Sequence, residues 1–162
     1  GPGVGGHCIA VDPWFIVNNN PDLSKLIKTA RLVNDSIPDK IVEKVSSIIN
    51  AFDKATNQIN IAILGLAYKA NVDDIRESPA LEIVRKINNL DVNNQFIVEP
   101  NISQLPNEFL NAKTCISPLK TAIQESDIIL LLVNHKEFYD MDKKLFSGKY
   151  VIDTKGVLDL DN

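Results

Sequence analysis

Apolar residues between positions 21 and 52 return every three or four places, at Leu23, Leu26, Ile27, Ala30, Val33, Ile37, Ile41, Val45, Ile48, Ile49 and Phe52. This spacing draws one stripe along a helix and predicts a long amphipathic helix. Pro38 interrupts it, because a proline ring removes a backbone donor and crowds the preceding turn. A kink or restart follows, with Ser36 as the candidate cap. A stripe this long needs a cover, supplied either by its own domain or by the same helix of a second copy, as in a helix-mediated dimer.

Polar residues 53–58 end that pattern. Residues 59–64 form a short, nearly continuous β-branched and apolar run that stops at Gly65, as a buried parallel strand does. Ser78 and Pro79 then offer a cap and a first-turn proline to a second helix, with Ala80, Leu81, Ile83, Val84, Ile87 and Leu90 as its stripe. Further strands are predicted at 95–98, 114–116, 128–133 and 150–152, with short helices at 118–125 and 141–146. Strands alternating with helices make an α/β fold with an open, mostly parallel sheet. The chain divides into an opening loop (1–20), a helical segment (21–56) and an α/β domain (57–162).

Composition narrows the classes. At 162 residues, 44% hydrophobic and 23% charged, the chain is globular and long enough to bury a sizeable core. Its formal net charge of −4 argues against a general nucleic-acid or membrane-surface binder, which leans on basic excess. No apolar run approaches the roughly 20 residues that span a bilayer, and no signal-peptide pattern opens the chain. Two cysteines, Cys8 and Cys115, make no disulfide framework and fit a reducing cytoplasm. Gly1 in place of methionine suggests a processed or truncated piece.

In open parallel sheets ligands sit beyond the carboxyl ends of the strands, which points to residues 65–77, Glu99 and Pro100, 134–138 and 154–156. Gly65-Leu66-Ala67 is like a worn dinucleotide turn without its later glycines. Lys69 and Arg76 follow it, either as solvated surface charges or as phosphate ligands. Glu99, closing the second strand, takes the usual ribose-hydroxyl position. His135 reads as a structural loop residue and Cys115 as a core thiol. At the chain start, four of the first six residues are glycines and lead to Cys8, with Asp12 four positions on. That is either a frayed terminus with a small buried thiol or half of an active site. It is no Walker loop, lacking Gly-Lys-Ser/Thr, and His7 with Cys8 lacks the spaced partners of a zinc site.

Two long motifs go further. Gly-Val-Gly-Gly-His-Cys-Ile-Ala-Val-Asp-Pro-Trp at 3–14 and Gly-Leu-Ala-Tyr-Lys-Ala-Asn-Val-Asp-Asp-Ile-Arg-Glu-Ser-Pro-Ala at 65–80 resemble the UDP-glucose/GDP-mannose dehydrogenase family. The first motif is most similar to the UDP-N-acetyl-D-mannosamine branch. Residues 127–135 and Asp-Thr-Lys-Gly-Val at 153–157 extend the resemblance over essentially the whole chain. It implies a long central dimerisation helix followed by a Rossmann-like UDP-binding domain, with an NAD-binding domain upstream. It further implies a two-step oxidation of a sugar C6 alcohol to the acid, consuming two NAD, with Cys8 as the nucleophile that forms a thiohemiacetal and then a thioester. Asp12 would manage protons and the hydrolytic water. Gly5, Tyr68 and Lys69 would contact the UDP-sugar, and Arg76 would reach NAD. Val11-Asp12 stands where many UDP-glucose members have Lys-Asp, which favours the N-acetylhexosamine branches. The catalytic lysine and asparagine that the family supplies upstream of this loop have no counterpart here, which leaves the oxyanion and proton machinery incomplete, and without the domain that would hold NAD the chain alone is expected to be inactive.

Overall fold

Five parallel strands in the order β3-β2-β1-β4-β5 carry the chain, as seen in a computed structural model that describes residues 1–109 and 113–158. The strands are β1 (Asn60–Leu64), β2 (Asn94–Val98), β3 (Thr114–Ile116), β4 (Ile128–Leu131) and β5 (Tyr150–Asp153). Among the described residues five α-helices accompany them: α1 (Asp12–Asn19), α2 (Lys25–Asp35), α3 (Ile37–Asn50), α4 (Pro79–Asn88) and α5 (Leu119–Glu125). β1 lies at the centre, paired in parallel with β2 through Ile63 and Ile97 and with β4 through Ile63 and Leu130. The strand order reverses between β1 and β4, and their carboxyl ends open the crevice where ligands bind in such sheets.

The strand pleat explains why the predicted run is apolar on both sides. Ile61 and Ile63 face a core with α3 and α4, whereas Ala62 and Leu64 face a second core with Ala122 and Ile123 of α5 and Phe138. Each of the four is fully buried, and burying a side chain as large as isoleucine is worth about 1.5–3 kcal/mol over leaving it exposed. α4 starts where expected: the Ser78 hydroxyl accepts from the Leu81 amide and donates to the Leu66 carbonyl, so one side chain caps the helix and holds the loop after β1.

The long helical stripe divides at Ser36 into α2 and α3. Ser36 takes the N-cap position of α3 without capping it through its side chain, because its hydroxyl donates back to the Val33 carbonyl, and Pro38 sits buried in the first turn of α3. The two halves of the stripe meet different fates. Ile41, Val45 and Ile49 of α3 are buried in the core shared with α4, while α2 buries none of its residues and Leu23 and Leu26 stand 89% and 82% exposed.

Three expectations need correction. The opening stretch is not wholly a loop, because past Gly6 it contains no glycine and Pro13 pre-sets a first turn, giving α1. Cys115 is no core thiol: it lies exposed on β3, a three-residue edge strand. The segment at 141–146 makes only a 3-10 turn, Lys143–Phe146, opened by the Asp142 carboxylate accepting from the Lys144 amide.

Candidate active site

The connection from β1 to α4 is the framework of the site. Gly65 turns it sharply (φ +91°) against the segment that follows β4, where a methyl group would overlap the Val133 side chain. The next two amides, of Leu66 and Ala67, both donate to Glu99 Oε2, at 2.7 and 3.1 Å. Glu99 Oε1 accepts from the Asn101 amide, and His135 Nε2 lies 3.0 Å from Oε2. Burial pushes the Glu99 acid up, but the donors from His135, Leu66 and Asn101 outweigh it, so its pKa falls below the usual value.

This overturns the ribose reading of Glu99. A buried carboxylate whose oxygens are taken by protein donors has none left for a ligand hydroxyl. It also answers whether NAD fits at this turn. A dinucleotide turn offers free amides and a helix N-terminus to the pyrophosphate. Here the amides are filled by Glu99, and the following helix starts only at Pro79. The turn is no dinucleotide seat, and Arg76 is the residue of the predicted set left to reach that cofactor.

Beyond the turn, the Tyr68 amide donates to the Asp74 carbonyl, closing residues 68–74 into a loop. Asn71 sits at φ +60°, its amide donating to His135 Nδ1 and its side-chain oxygen accepting from the Lys136 amide. Between these anchors Lys69 is exposed, and among the described residues its ammonium has no protein partner. Arg76 grips Asp74 with a fork, Nε to Oδ1 at 3.0 Å and Nη2 to Oδ2 at 2.7 Å. Those bonds hold the Asp74 acid down to about 2 and raise the Arg76 pKa.

The opening loop docks on this framework. The Gly6 amide donates to the Glu77 carbonyl, and a methyl at Gly6 would press on the Tyr68 ring. Gly5 is equally constrained, against the Glu77 carbonyl and the Pro79 ring. His7 Nδ1 stands 3.4 Å from Arg76 Nη2. On the other side α2 clamps the loop: Asn34 accepts from the Val4 amide and donates to its carbonyl, and Arg31 donates to the Val4 and Ile9 carbonyls while pairing with Asp35. Cys8 therefore sits on a loop held at both flanks, with an exposed thiol and a carbonyl that accepts from the Val11 and Asp12 amides as α1 begins. Asp12 is exposed in the first turn of α1.

Of the predicted residues, Gly5, Cys8, Tyr68 and Arg76 are thus drawn together through the contact of the two motifs, with Lys69 on the same loop and Asp12 one helical turn beyond Cys8. Asp74, Arg31, Asn34 and His135 were missed as parts of this arrangement. Asp74 could have been noticed from its place two residues before Arg76 and Arg31 from its i,i+4 partner Asp35; Asn34 left no signal. A cleft of about 470 Å³ flanks the opening loop on its α2 side, with Arg31, Arg76, Glu77 and Arg85 in its walls, away from the β1 and β4 ends.

Comparison with known proteins places the family. Residues 62–160 match the family model for the UDP-binding domain of the UDP-glucose/GDP-mannose dehydrogenase family. A UDP-N-acetyl-D-mannosamine dehydrogenase of Yersinia pestis is 45% identical over 161 residues, covering 97% of this chain and 38% of that protein. An NDP-N-acetyl-D-galactosaminuronic acid dehydrogenase of Ralstonia solanacearum is 44% identical, covering 97% of this chain and 36% of its own length. Among solved structures, a UDP-N-acetyl-mannosamine dehydrogenase from Staphylococcus aureus superposes with a TM-score of 0.77 at 34% identity, over 99% of this chain and 36% of that one. The chain thus spans little more than a third of these relatives, and within that span it belongs to the UDP-glucose/GDP-mannose dehydrogenase family.

Proposed function

We propose that this chain supplies the cysteine nucleophile and the nucleotide-sugar site of an NAD-dependent UDP-N-acetyl-D-mannosamine 6-dehydrogenase. The observation that carries the reading is the docking of the Cys8 loop on the loop bearing Tyr68, Lys69 and Arg76 through Gly5, Gly6 and Glu77. A thiol and an unpartnered lysine on mutually braced loops suit a substrate with an electrophilic carbon at one end and a diphosphate at the other.

In this reading Tyr68 and Lys69 hold the UDP portion, Lys69 by its charge and Tyr68 by its ring, while Gly5 keeps the loop backbone close to the sugar. The Cys8 thiolate adds to the C6 aldehyde carbon, and the former carbonyl oxygen takes a proton, giving a thiohemiacetal. Arg76 would help hold NAD, which would supply the hydride acceptor for both oxidations, alcohol to aldehyde and thiohemiacetal to thioester, the hydroxyl proton of each passing to a base or water. In the second half water attacks the Cys8 thioester, the carbon–sulfur bond breaks, and the acid leaves with the thiol restored. Asp12 serves that water as a proton acceptor. Arg76, pre-aimed by Asp74, reaches toward the cofactor.

The exposed apolar side of α2, with Leu26, Leu32 and Val33 and with Leu23 just before it, supports a homodimer formed through this helix. Among the described residues no helix is long and apolar enough to cross a membrane, and two exposed free thiols suit the cytoplasm. The near-equal identity to the galactosaminuronic acid relative favours, as a second reading, the same chemistry on UDP-N-acetylgalactosamine. UDP-N-acetylglucosamine and UDP-glucose complete the candidate set, and alone the chain is a nucleotide-sugar-binding and dimerisation module. The test is NADH formation by the complete enzyme over a panel of these UDP-sugars. Fastest turnover is expected with UDP-N-acetyl-D-mannosamine, and a clear preference for another sugar would reject that substrate.

A further inference from the structure

His135 is fully buried, stands beyond β4 and touches none of the groups given a chemical task above. Its ring packs edge-on against Phe138, which fixes its plane. The Asn71 amide donates to Nδ1 at 3.0 Å. A backbone N–H can only donate, so Nδ1 carries the lone pair and the ring proton sits on Nε2, facing Glu99 Oε2 at 3.0 Å. The same Glu99 oxygen receives the Leu66 and Ala67 amides. The Asn101 side-chain amide also approaches Nδ1, at 3.1 Å.

One ring thereby joins the two flanks of a short segment. Ala67 is tied through Glu99 two residues before Lys69, and Asn71 is tied directly two residues after it. Glu99 keeps three backbone donors without the ring, whereas the Asn71 amide has no partner other than Nδ1. The ring is thus a link that ties both flanks of Lys69 to the sheet, beside the Tyr68 bond to Asp74 and the Asn71 side-chain bond from Lys136. We infer that His135 is a positioning residue that fixes the Tyr68 and Lys69 segment to receive the diphosphate of a nucleotide ligand. This rests on the assignment of Lys69 to the nucleotide.

Two substitutions separate the ring's nitrogens, since an asparagine places its amide near Nδ1 and a glutamine near Nε2. His135→Asn keeps an acceptor for the Asn71 amide and loses the bond to Glu99; His135→Gln does the reverse. With UDP as the probe in titration calorimetry on this chain, His135→Gln should weaken binding about tenfold and His135→Asn less than about threefold, tenfold being the scale of one hydrogen bond. Combined with Lys69→Ala, His135→Gln should add nothing further, because it acts through Lys69. Asn71→Gly, at an exposed position that keeps its positive φ, retains the backbone donor but removes the other anchor of this segment, the side-chain oxygen that accepts from the Lys136 amide, and should weaken UDP as His135→Gln does, whether or not the latter folds. Wild-type affinity in both His135→Gln and Asn71→Gly, equal losses in the Asn and Gln variants, or additivity with Lys69→Ala would overturn the positioning role. Unchanged UDP binding in Lys69→Ala alone would instead remove Lys69 from the nucleotide site.

Discussion

Gly5 lies so close to Glu77 that a methyl group on its α-carbon would overlap the Glu77 carbonyl oxygen. That oxygen is also the acceptor of the Gly6 amide, at 3.2 Å, so the contact is a docking point between the cysteine loop and the Arg76 loop. The glycine is required here by the protein's own packing.

Gly5→Ala should accordingly cost stability, about 1–3 kcal/mol as in other overpacked sites, read from urea denaturation. The loop would also lift from Glu77, so alkylation of the Cys8 thiol should change rate. An alanine variant with wild-type stability and thiol reactivity would mean that the two loops are not in contact.

Asn34 makes paired bonds to the Val4 amide and carbonyl, one of them 2.7 Å long. Asn34→Ala should free the opening loop from α2 at a cost of about 1 kcal/mol, the usual net worth of such bonds. Hydrogen exchange will report it. The Val4 amide should exchange faster while the amides of β1 keep their protection; an unchanged Val4 amide would contradict the clamp.

Asp74 has its acid held down to about 2 from an ordinary 3.8, first of all by its hydrogen bonds to Arg76. The carboxylate should therefore titrate near that low value by NMR, and near the ordinary one once Arg76→Gln removes the fork. A titration that ignores the substitution would show that Arg76 is not held.

Glu99 gives a pH dependence of definite sign. Its folded pKa lies below the ordinary 4.5, so its contribution to stability is complete above that value and lost as pH falls through the folded one. Urea midpoints should decline on acidification below about 4.5, and Glu99→Gln, which cannot ionise, should lower stability at neutral pH and flatten that decline. An equally steep decline in the variant would assign it to other carboxylates.

The sheet was legible because its signal is local: β-branched runs such as 59–64 and 128–133 state burial on both faces, and Ser78 with Pro79 states a helix start. α1 was not, since Gly3, Gly5 and Gly6 beside Pro13 look like loop until Pro13 proves to be a first-turn residue. The acid at the end of β2 was visible, but not that residues 33 and 36 positions away, Leu66 and His135, would consume its oxygens. Cys115 misled because cysteine's burial tendency is overridden by an edge strand. Both motifs of the site could be read, whereas their meeting at Gly5 and Glu77 depends on a tertiary contact no spacing encodes.

The assignment of Cys8 as covalent nucleophile meets its sharpest test in peptide mass spectrometry of the complete enzyme, acid-quenched during turnover of UDP-N-acetyl-D-mannosamine. A uronyl thioester should appear on the peptide carrying Cys8, with Cys115 unmodified, and Cys8→Ser should form no acid. Unimpaired acid formation by that variant, or an adduct confined to another residue, would contradict it.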